Sequence, residues 1–295
     1  MKKLRLIVNP FTGTAKLQKH MCDILKLFSE AGYETTVYFT RSKGDGARYA
    51  RENAMESDLI VCCGGDGTLN EVAGGLLEVE KGVCPPLGYI PAGTCNDFAS
   101  SLEIPLDAVA AAGRILKGRS VPLDIGSFNG RQFMYVASFG AFTEASYSTP
   151  QAMKNTLGHL AYVLEGITSI GDIKPYRARF EVNGKVYEDE YIFASVSNST
   201  SIAGIVKLDR ALVDLSDGLF ELALVKNPKN LAGLADIAKA VLSKNLQSDY
   251  ITLLHAPTVK FSSAEEIPWT LDGEFDPGAK EITISNRRHA LCFAI

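Results

Sequence analysis

Leu59-Ile60-Val61-Cys62-Cys63 is an apolar run that breaks into Gly64-Gly65-Asp66-Gly67-Thr68-Leu69-Asn70-Glu71. Without polar alternation, such a run fits a strand buried on both faces, and Leu69 to Leu77 returns at helical spacing. A strand that passes through a glycine turn into a helix is the repeating unit of a helix-covered parallel sheet. The same unit lies on either side. Leu4 to Val8 is a strand entering Asn9-Pro10-Phe11-Thr12-Gly13, and Leu17, Met21, Ile24, Leu25 and Phe28 share the face of a helix that Gly32 ends. Thr35 to Phe39 is the next strand and Gly46 to Ala54 the next helix. Downstream, the strand Leu87 to Ile90 runs into Pro91-Ala92-Gly93-Thr94-Cys95-Asn96-Asp97-Phe98, before a helix over Ala108 to Leu116.

After Gly118 the strands follow one another directly: Val121 to Phe128, Gln132 to Phe139, Arg177 to Val182 and Tyr187 to Val196. Asn129-Gly130 and Asn183-Gly184 separate neighbouring candidates, and Asn-Gly favours a two-residue hairpin because both positions tolerate positive φ. One helix is expected over Ala152 to Ile170, with Met153, Leu157, Leu160, Ala161, Leu164 and Ile167 on one face, and another over Leu231 to Leu242. Strands close the chain at Thr258 to Phe261, Ile267 to Leu271, Ile282 to Ile284 and Ala290 to Ile295. The expected fold class is α/β plus all-β: a mostly parallel N-terminal domain over 1–120, and an antiparallel β-sandwich with helical insertions over 121–295.

Composition sets the bounds. The 295 residues are 46% hydrophobic and 22% charged, which suits globular domains with real cores. The formal charge of −4 argues against non-specific nucleic-acid binding. Cys22, Cys62, Cys63, Cys84, Cys95 and Cys292 show no CxxC spacing, and reduced thiols in a cytoplasm are the simpler expectation. Cys62 and Cys63, inside an apolar run, act as small hydrophobes. No apolar stretch reaches the roughly 20 residues that span a bilayer, and Met1 to Val8 is too short for a signal peptide. Without an export signal, Asn198-Ser199-Thr200 is a chance sequon.

Chemistry gathers where strands meet loops. Gly64 to Thr68 alone fits a tight turn and an anion cradle equally well, since glycines admit close backbone approach and a helix N-terminus attracts negative charge. Three such loops, Asn9 to Gly13, Gly64 to Thr68 and Pro91 to Phe98, on one sheet edge favour phosphate binding. There is no G-x-x-x-x-G-K-[ST], no H-R-D or D-F-G, and no G-x-G-x-x-G.

Gly64-Gly65-Asp66-Gly67-Thr68-Leu69-Asn70-Glu71 and Pro91-Ala92-Gly93-Thr94-Cys95-Asn96-Asp97-Phe98 resemble the diacylglycerol kinase catalytic domain family. Leu123-Asp124-Ile125-Gly126, Asp214-Leu215-Ser216-Asp217-Gly218-Leu219 and Leu271-Asp272-Gly273-Glu274 continue the resemblance over nearly the whole chain. It implies an ATP-dependent lipid kinase working at a cleft between its two domains, with ATP and Mg2+ as cofactors. It implies an ATP site at Asn9, Pro10, Phe11, Thr12, Gly13, Thr40, Gly64, Gly65, Asp66, Gly67, Thr68, Leu69, Asn70 and Thr94, with Asp66 serving the magnesium-bound phosphates. Glu274 takes the place of the base that draws the proton from the lipid hydroxyl. Asp214, Asp217 and the Leu219 carbonyl match a structural magnesium site whose oxygen donors suit a hard cation, and Asp124 matches a member of the charged network beside it. By themselves Leu-Asp-Gly-Glu is an ordinary surface turn and Asp214 to Leu219 a solvated one.

Two departures from the family pattern fall at Ser100, where an Arg is expected, and Glu165, where a Lys is expected. They bear on diacylglycerol as the particular substrate more than on lipid phosphorylation. The expected partner is a membrane lipid, met by peripheral contact at the inner face of the membrane, with homodimerisation left open and no nucleic acid. Lys2, Lys3, Lys16, Lys19, Arg41, Lys43, Arg48 and Arg51 concentrate positive charge that suits anionic lipid. The alternatives are a soluble-metabolite kinase of the NAD-kinase type, and a catalytically silent nucleotide- or lipid-binding protein.

Overall fold

The computed structural model describes residues 1–12, 14–80, 84–94, 96–140, 173–199, 201–202, 206–207, 214–243 and 246–295. The helix expected over 152–170 lies outside them, as do Gly13, Cys95 and Glu165. The chain divides into two compact units, Met1–Leu123 with His289–Ile295, and Asp124–Arg288.

The first unit alternates as the apolar runs require: β1 (Lys2–Val8), α1 (Thr14–Glu30), β2 (Tyr33–Phe39), α2 (Asp45–Asn53), β3 (Leu59–Gly64), α3 (Asp66–Leu77), β4 (Leu87–Pro91), α4 (Asp97–Ser101) and α5 (Ala108–Lys117). Its strands are parallel in the order β4-β3-β1-β2. The chain moves one way from β1 to β2 and the other way from β2 through β3 to β4. Right-handed crossovers therefore place α1 on one face and α2 and α3 on the other. Contacts agree, with α1 against α5 and α2 against α3. The α2–α3 crossing is close because Gly75 has no side chain: a Cβ there would stand 2.1 Å from the Ala47 carbonyl oxygen.

β3 is buried at every residue, which explains its unbroken apolar run. Burial pushes the Cys63 thiol up to about 12 and the Cys62 thiol well above its ordinary range. Both are therefore protonated and enclosed at pH 8, whereas Cys22 is exposed. An alkylating reagent at pH 8 is expected to label Cys22 first and to reach Cys62 and Cys63 only after unfolding. Peptide mapping by mass spectrometry checks this, and early labelling of Cys63 contradicts it.

The second unit is antiparallel. It begins with the later residues of β5 (Ser120–Phe128), then β6 (Arg131–Phe133), β7 (Val136–Gly140), β8 (Tyr176–Val182), β9 (Lys185–Ser197) and the short pair β10 (Ser201–Ile202) and β11 (Val206–Lys207). It continues through β12 (Phe220–Lys226), α6 (Leu231–Leu242), β13 (Ile251–Ala256), β14 (Thr258–Ser263), β15 (Trp269–Leu271), β16 (Glu274–Asp276) and the start of β17 (Glu281–Ala294). Both Asn-Gly hairpins form as expected. Asn129 and Gly130 sit at φ 47 and 92 between β5 and β6, and Asn183 and Gly184 at φ 50 and 75 between β8 and β9. The sandwich-like core is aromatic: Phe139 lies 4.9 Å from Trp269 and 5.8 Å from Phe261, and Phe180 lies 5.4 Å from Phe261. On another sheet face, Leu234, Ile237 and Val241 of α6 cover Phe193, Ala223 and Val225.

Three expectations are corrected. The helix after the glycines starts at Asp66, with Gly65 as its N-cap, rather than at Leu69; an acidic residue in the first turn suits the helix dipole. The single strand expected over Gln132 to Phe139 is two, because the Asp272 carboxylate takes the N–H groups of Met134, Tyr135 and Val136 out of the ladder. The two strands expected at Ile282 to Ile284 and Ala290 to Ile295 are one, β17, whose polar middle looks like a turn and whose end pairs in parallel with β4 in the first unit.

Candidate functional site

In the first unit, strand register decides which loops meet. Val8 is opposite both Phe39 and Cys63, and Gly64 is opposite Pro91, so all four strands finish at one edge. Backbone bonds continue past the ends: Asn9 N donates to Cys63 O at 2.9 Å, Thr40 N to Val8 O at 2.9 Å, and Ala92 N to Gly64 O at 2.7 Å. Asn9, Thr40, Gly64 and Ala92 thus form one row along the carboxyl edge of the sheet. In sheets of this kind that edge is the ligand crevice, especially where the strand order reverses, here between β1 and β3.

Side chains fasten the row. Asn9 Nδ2 donates to Thr68 Oγ1 at 3.0 Å, and Asn9 Oδ1 accepts the Phe11 N–H at 3.0 Å, which folds Pro10, Phe11 and Thr12 into an Asx turn. Phe11 is left 77% exposed beside it. Gly64 is obligatory because a Cβ there would lie 2.7 Å from Thr68 Cβ. Gly65 and Gly93 meet backbone to backbone, and a Cβ on Gly93 would fall 2.6 Å from Gly65 Cα. Gly93→Ala is therefore expected to cost about 1–3 kcal/mol through overpacking, measured as a lowered urea midpoint. An unchanged midpoint would mean that the loops can separate without penalty.

Asp66 stands in the first turn of α3, and its carboxylate accepts Asp97 N at 3.2 Å and Phe98 N at 3.4 Å at the start of α4. It therefore ties the second and third glycine loops together. Thr68 and Leu69 are buried, Gly67 and Thr94 are exposed, and Asn70 is half-buried.

Sequence reasoning assigned no role to Asn96 or Glu71, and both organise the edge. Asn96, buried at φ 52, accepts the Gly93 N–H at 2.9 Å and donates to Gly93 O at 2.8 Å. Glu71 accepts the Gly44 N–H at 2.9 Å and the Gly46 N–H at 3.2 Å, clamping the start of α2. The motif Asn-Asp-Phe and the acid after Asn70 were the available signals. Beside Glu71, hydrogen bonds from Arg48, then Arg41 and Ser42, hold the Asp45 carboxyl down at about 2.

In the second unit, Leu271 to Glu274 is a two-residue hairpin. Leu271 is opposite Glu274, and Asp272 and Gly273 sit at φ 51 and 81. Asp272 accepts three N–H groups, from Met134 at 2.6 Å and from Tyr135 and Val136 at 3.0 Å each. That fixes the turn from which Glu274 projects. Glu274 is half-exposed, and its Oε2 is 3.2 Å from Arg131 Nη2. Arg131 is in turn held 2.9 Å from Asp276.

The loop Asp214 to Leu219 folds on its own carboxylates. Asp214 Oδ1 accepts Ser216 N at 3.0 Å, and Asp217 Oδ1 accepts Leu219 N at 2.8 Å. Asp124, 1% exposed, reaches the same loop and accepts the Gly218 N–H at 2.6 Å. Two carboxylates and a carbonyl form an all-oxygen set suited to a hard cation. Among the described residues no three His, Cys, Asp or Glu side chains converge as a metal cluster. Burial pushes the nearby Glu221 carboxyl up to about 8.

The chain thus carries a glycine-loop edge on its parallel α/β unit and a hairpin carboxylate on its antiparallel unit. Residues 3–128 match the diacylglycerol kinase catalytic domain, and residues 136–286 match the YegS C-terminal NAD kinase beta sandwich-like domain. The chain is 38% identical over 278 residues to a diacylglycerol kinase of Bacillus subtilis (strain 168), covering 93% of this chain and 90% of the relative. A diacylglycerol kinase of Staphylococcus aureus (strain bovine RF122 / ET3-1) is 34% identical over 295 residues, 99% of this chain and 92% of the relative. A solved candidate diacylglycerol kinase from Bacillus anthracis str. Sterne superposes with a TM-score of 0.84 at 28% identity, covering 99% of this chain and 96% of that one. The chain belongs to the diacylglycerol kinase family, a family of lipid kinases.

Proposed function

We propose that this lipid kinase transfers the γ-phosphoryl group of ATP to the hydroxyl of diacylglycerol or a closely related lipid alcohol. The observation that carries the reading is the shared edge of the first unit, where Asn9, Thr40, Gly64 and Ala92 end four parallel strands beside the start of α3. Such an edge offers backbone N–H groups to phosphate oxygens. In this reading the nucleotide lies along Asn9 to Gly13, Thr40, Gly64 to Asn70 and Thr94, and Asp66 serves its magnesium-bound phosphates. Bound magnesium supplies charge neutralisation for the transferring group.

Glu274 acts as general base. An alcohol is a weak nucleophile at neutral pH, so its proton passes to the Glu274 carboxylate as its oxygen bonds to the γ-phosphorus and the bond to the ADP oxygen breaks. Asp214, Asp217 and the Leu219 carbonyl would hold a structural magnesium ion through oxygen donors suited to a hard cation. Among the described residues no helix is long and apolar enough to cross a membrane, and the lipid is met by peripheral contact. Of the basic residues of the first unit, Arg48 is paired with Asp45 and Glu52, and Arg51 with Glu78. Exposed Lys2, Lys3, Lys19 and Arg41 are the better candidates for anionic headgroups.

ADP release in mixed micelles, measured with diacylglycerol, monoacylglycerol, ceramide, a sphingoid base and NAD, tests the acceptor. Release stimulated by a glycerolipid supports the proposal. Stimulation by NAD alone, or nucleotide binding without turnover on any acceptor, overturns it.

A further inference from the structure

Around the 214–219 loop, buried oxygen acceptors outnumber the donors available to them. Glu221, two residues past Leu219 on β12, is 5% exposed, and its Oε2 has no hydrogen-bond partner. Asn198, 4% exposed, spends its Nδ2 on the Asp124 carbonyl and leaves Oδ1 buried without a partner. Asn286 spends its Nδ2 on the Leu219 carbonyl at 3.1 Å, and its Oδ1 is likewise buried without a partner. Two of them are tied to one place, Asn286 to Leu219 and Asn198 to Asp124, whose carboxylate accepts the Gly218 N–H; Glu221 follows Leu219 by two residues on β12. Asp214, Asp217 and Glu221 form no ion pair among the described residues, and the loop's own N–H groups at 216, 218 and 219 are already donated to carboxylates.

Buried acceptors without donors are costly unless water or an ion answers them. Waters on a divalent ion are strong donors, and magnesium keeps several of its waters in protein sites. We infer that Glu221, Asn198 and Asn286 are the inner layer of a divalent-cation site on the 214–219 loop, holding the waters of the ion rather than the ion itself. Asn286 has a second part, since its amide fills one lone pair of the Leu219 carbonyl and orients the other. This inference rests on the reading of Asp214, Asp217 and Leu219 as metal ligands, and extends it to residues on three further strands and strand ends.

The test is Mg2+ titration of the full chain without nucleotide, followed by thermal unfolding and by calorimetry. The wild-type chain is expected to gain stability with Mg2+, and Asp217→Asn to lose the response. Glu221→Gln keeps shape and burial but replaces a carboxyl oxygen with an amide nitrogen that can only donate; its Mg2+ midpoint is expected to rise about 10–100-fold, the usual effect of an outer-layer partner. Asn286→Ala, which lies at a half-buried position, gives an independent reading and is expected to shift the midpoint the same way. Wild-type midpoints in both variants, beside a lost response in Asp217→Asn, overturn the inference and spare the metal loop. No Mg2+ response in the wild-type chain, or an undiminished one in Asp217→Asn, overturns both.

Discussion

Glu274→Gln is expected to lower kcat for lipid phosphorylation by about 10²–10⁴ while leaving nucleotide affinity within about twofold. The substitution keeps the size of the side chain and removes its negative charge, and with it the ability to take a proton. Glu274 opens β16 in the second unit, whereas the proposed nucleotide loops belong wholly to the first. Binding and chemistry therefore separate: a fluorescent ATP analogue titrates Glu274→Gln as it does the wild type, and single-turnover transfer to lipid is lost. A variant that keeps its rate would remove Glu274 from the chemistry and leave it an exposed partner of Arg131.

Asp272→Ala carries the second large effect, on stability and on rate together. The carboxylate accepts the N–H groups of Met134, Tyr135 and Val136, and the residue itself holds φ 51 in the hairpin turn. Alanine leaves those donors without an acceptor and disfavours the left-handed backbone, a combined cost on the order of 2–4 kcal/mol. Asparagine tolerates positive φ and keeps one acceptor, so Asp272→Asn falls between alanine and wild type. Urea unfolding gives the order, and kcat follows it because the same carboxylate fixes the turn that presents Glu274. If alanine and asparagine were equally mild, the three bonds would contribute little.

Local chemistry explains what the sequence made legible. The alternation in the first unit follows from unbroken apolar runs, and β3 is buried at every residue as its composition demands. Asn129-Gly130 and Asn183-Gly184 mark their hairpins because few other pairs tolerate two positive φ values in succession. The ends of β1, β3 and β4 were expected together because parallel strands share an edge. What escaped depends on long-range partners. The break between β6 and β7 is made by Asp272, well over a hundred residues away, and no local pattern at Met134 announces it. β17 crosses a polar stretch that looks like a turn, because pairing with β5 rather than hydrophobicity holds that part of it. β12 and β13 were not anticipated, although they pair with each other from Phe220 opposite Ala256. Glu71 and Asn96 stood inside quoted motifs, yet their targets, the N–H groups of Gly44, Gly46 and Gly93, appear only once helices and loops are packed.

The proposed reaction is tested most directly by incubating the chain with Mg2+, diacylglycerol micelles and ATP labelled in its γ-phosphoryl oxygens, then weighing the lipid by mass spectrometry. The account predicts a lipid phosphate monoester that carries the label, accumulates with ADP and is absent when Glu274→Gln replaces the wild type. Unmodified lipid beside intact ATP, or label transferred only to water or to a soluble acceptor, would contradict it.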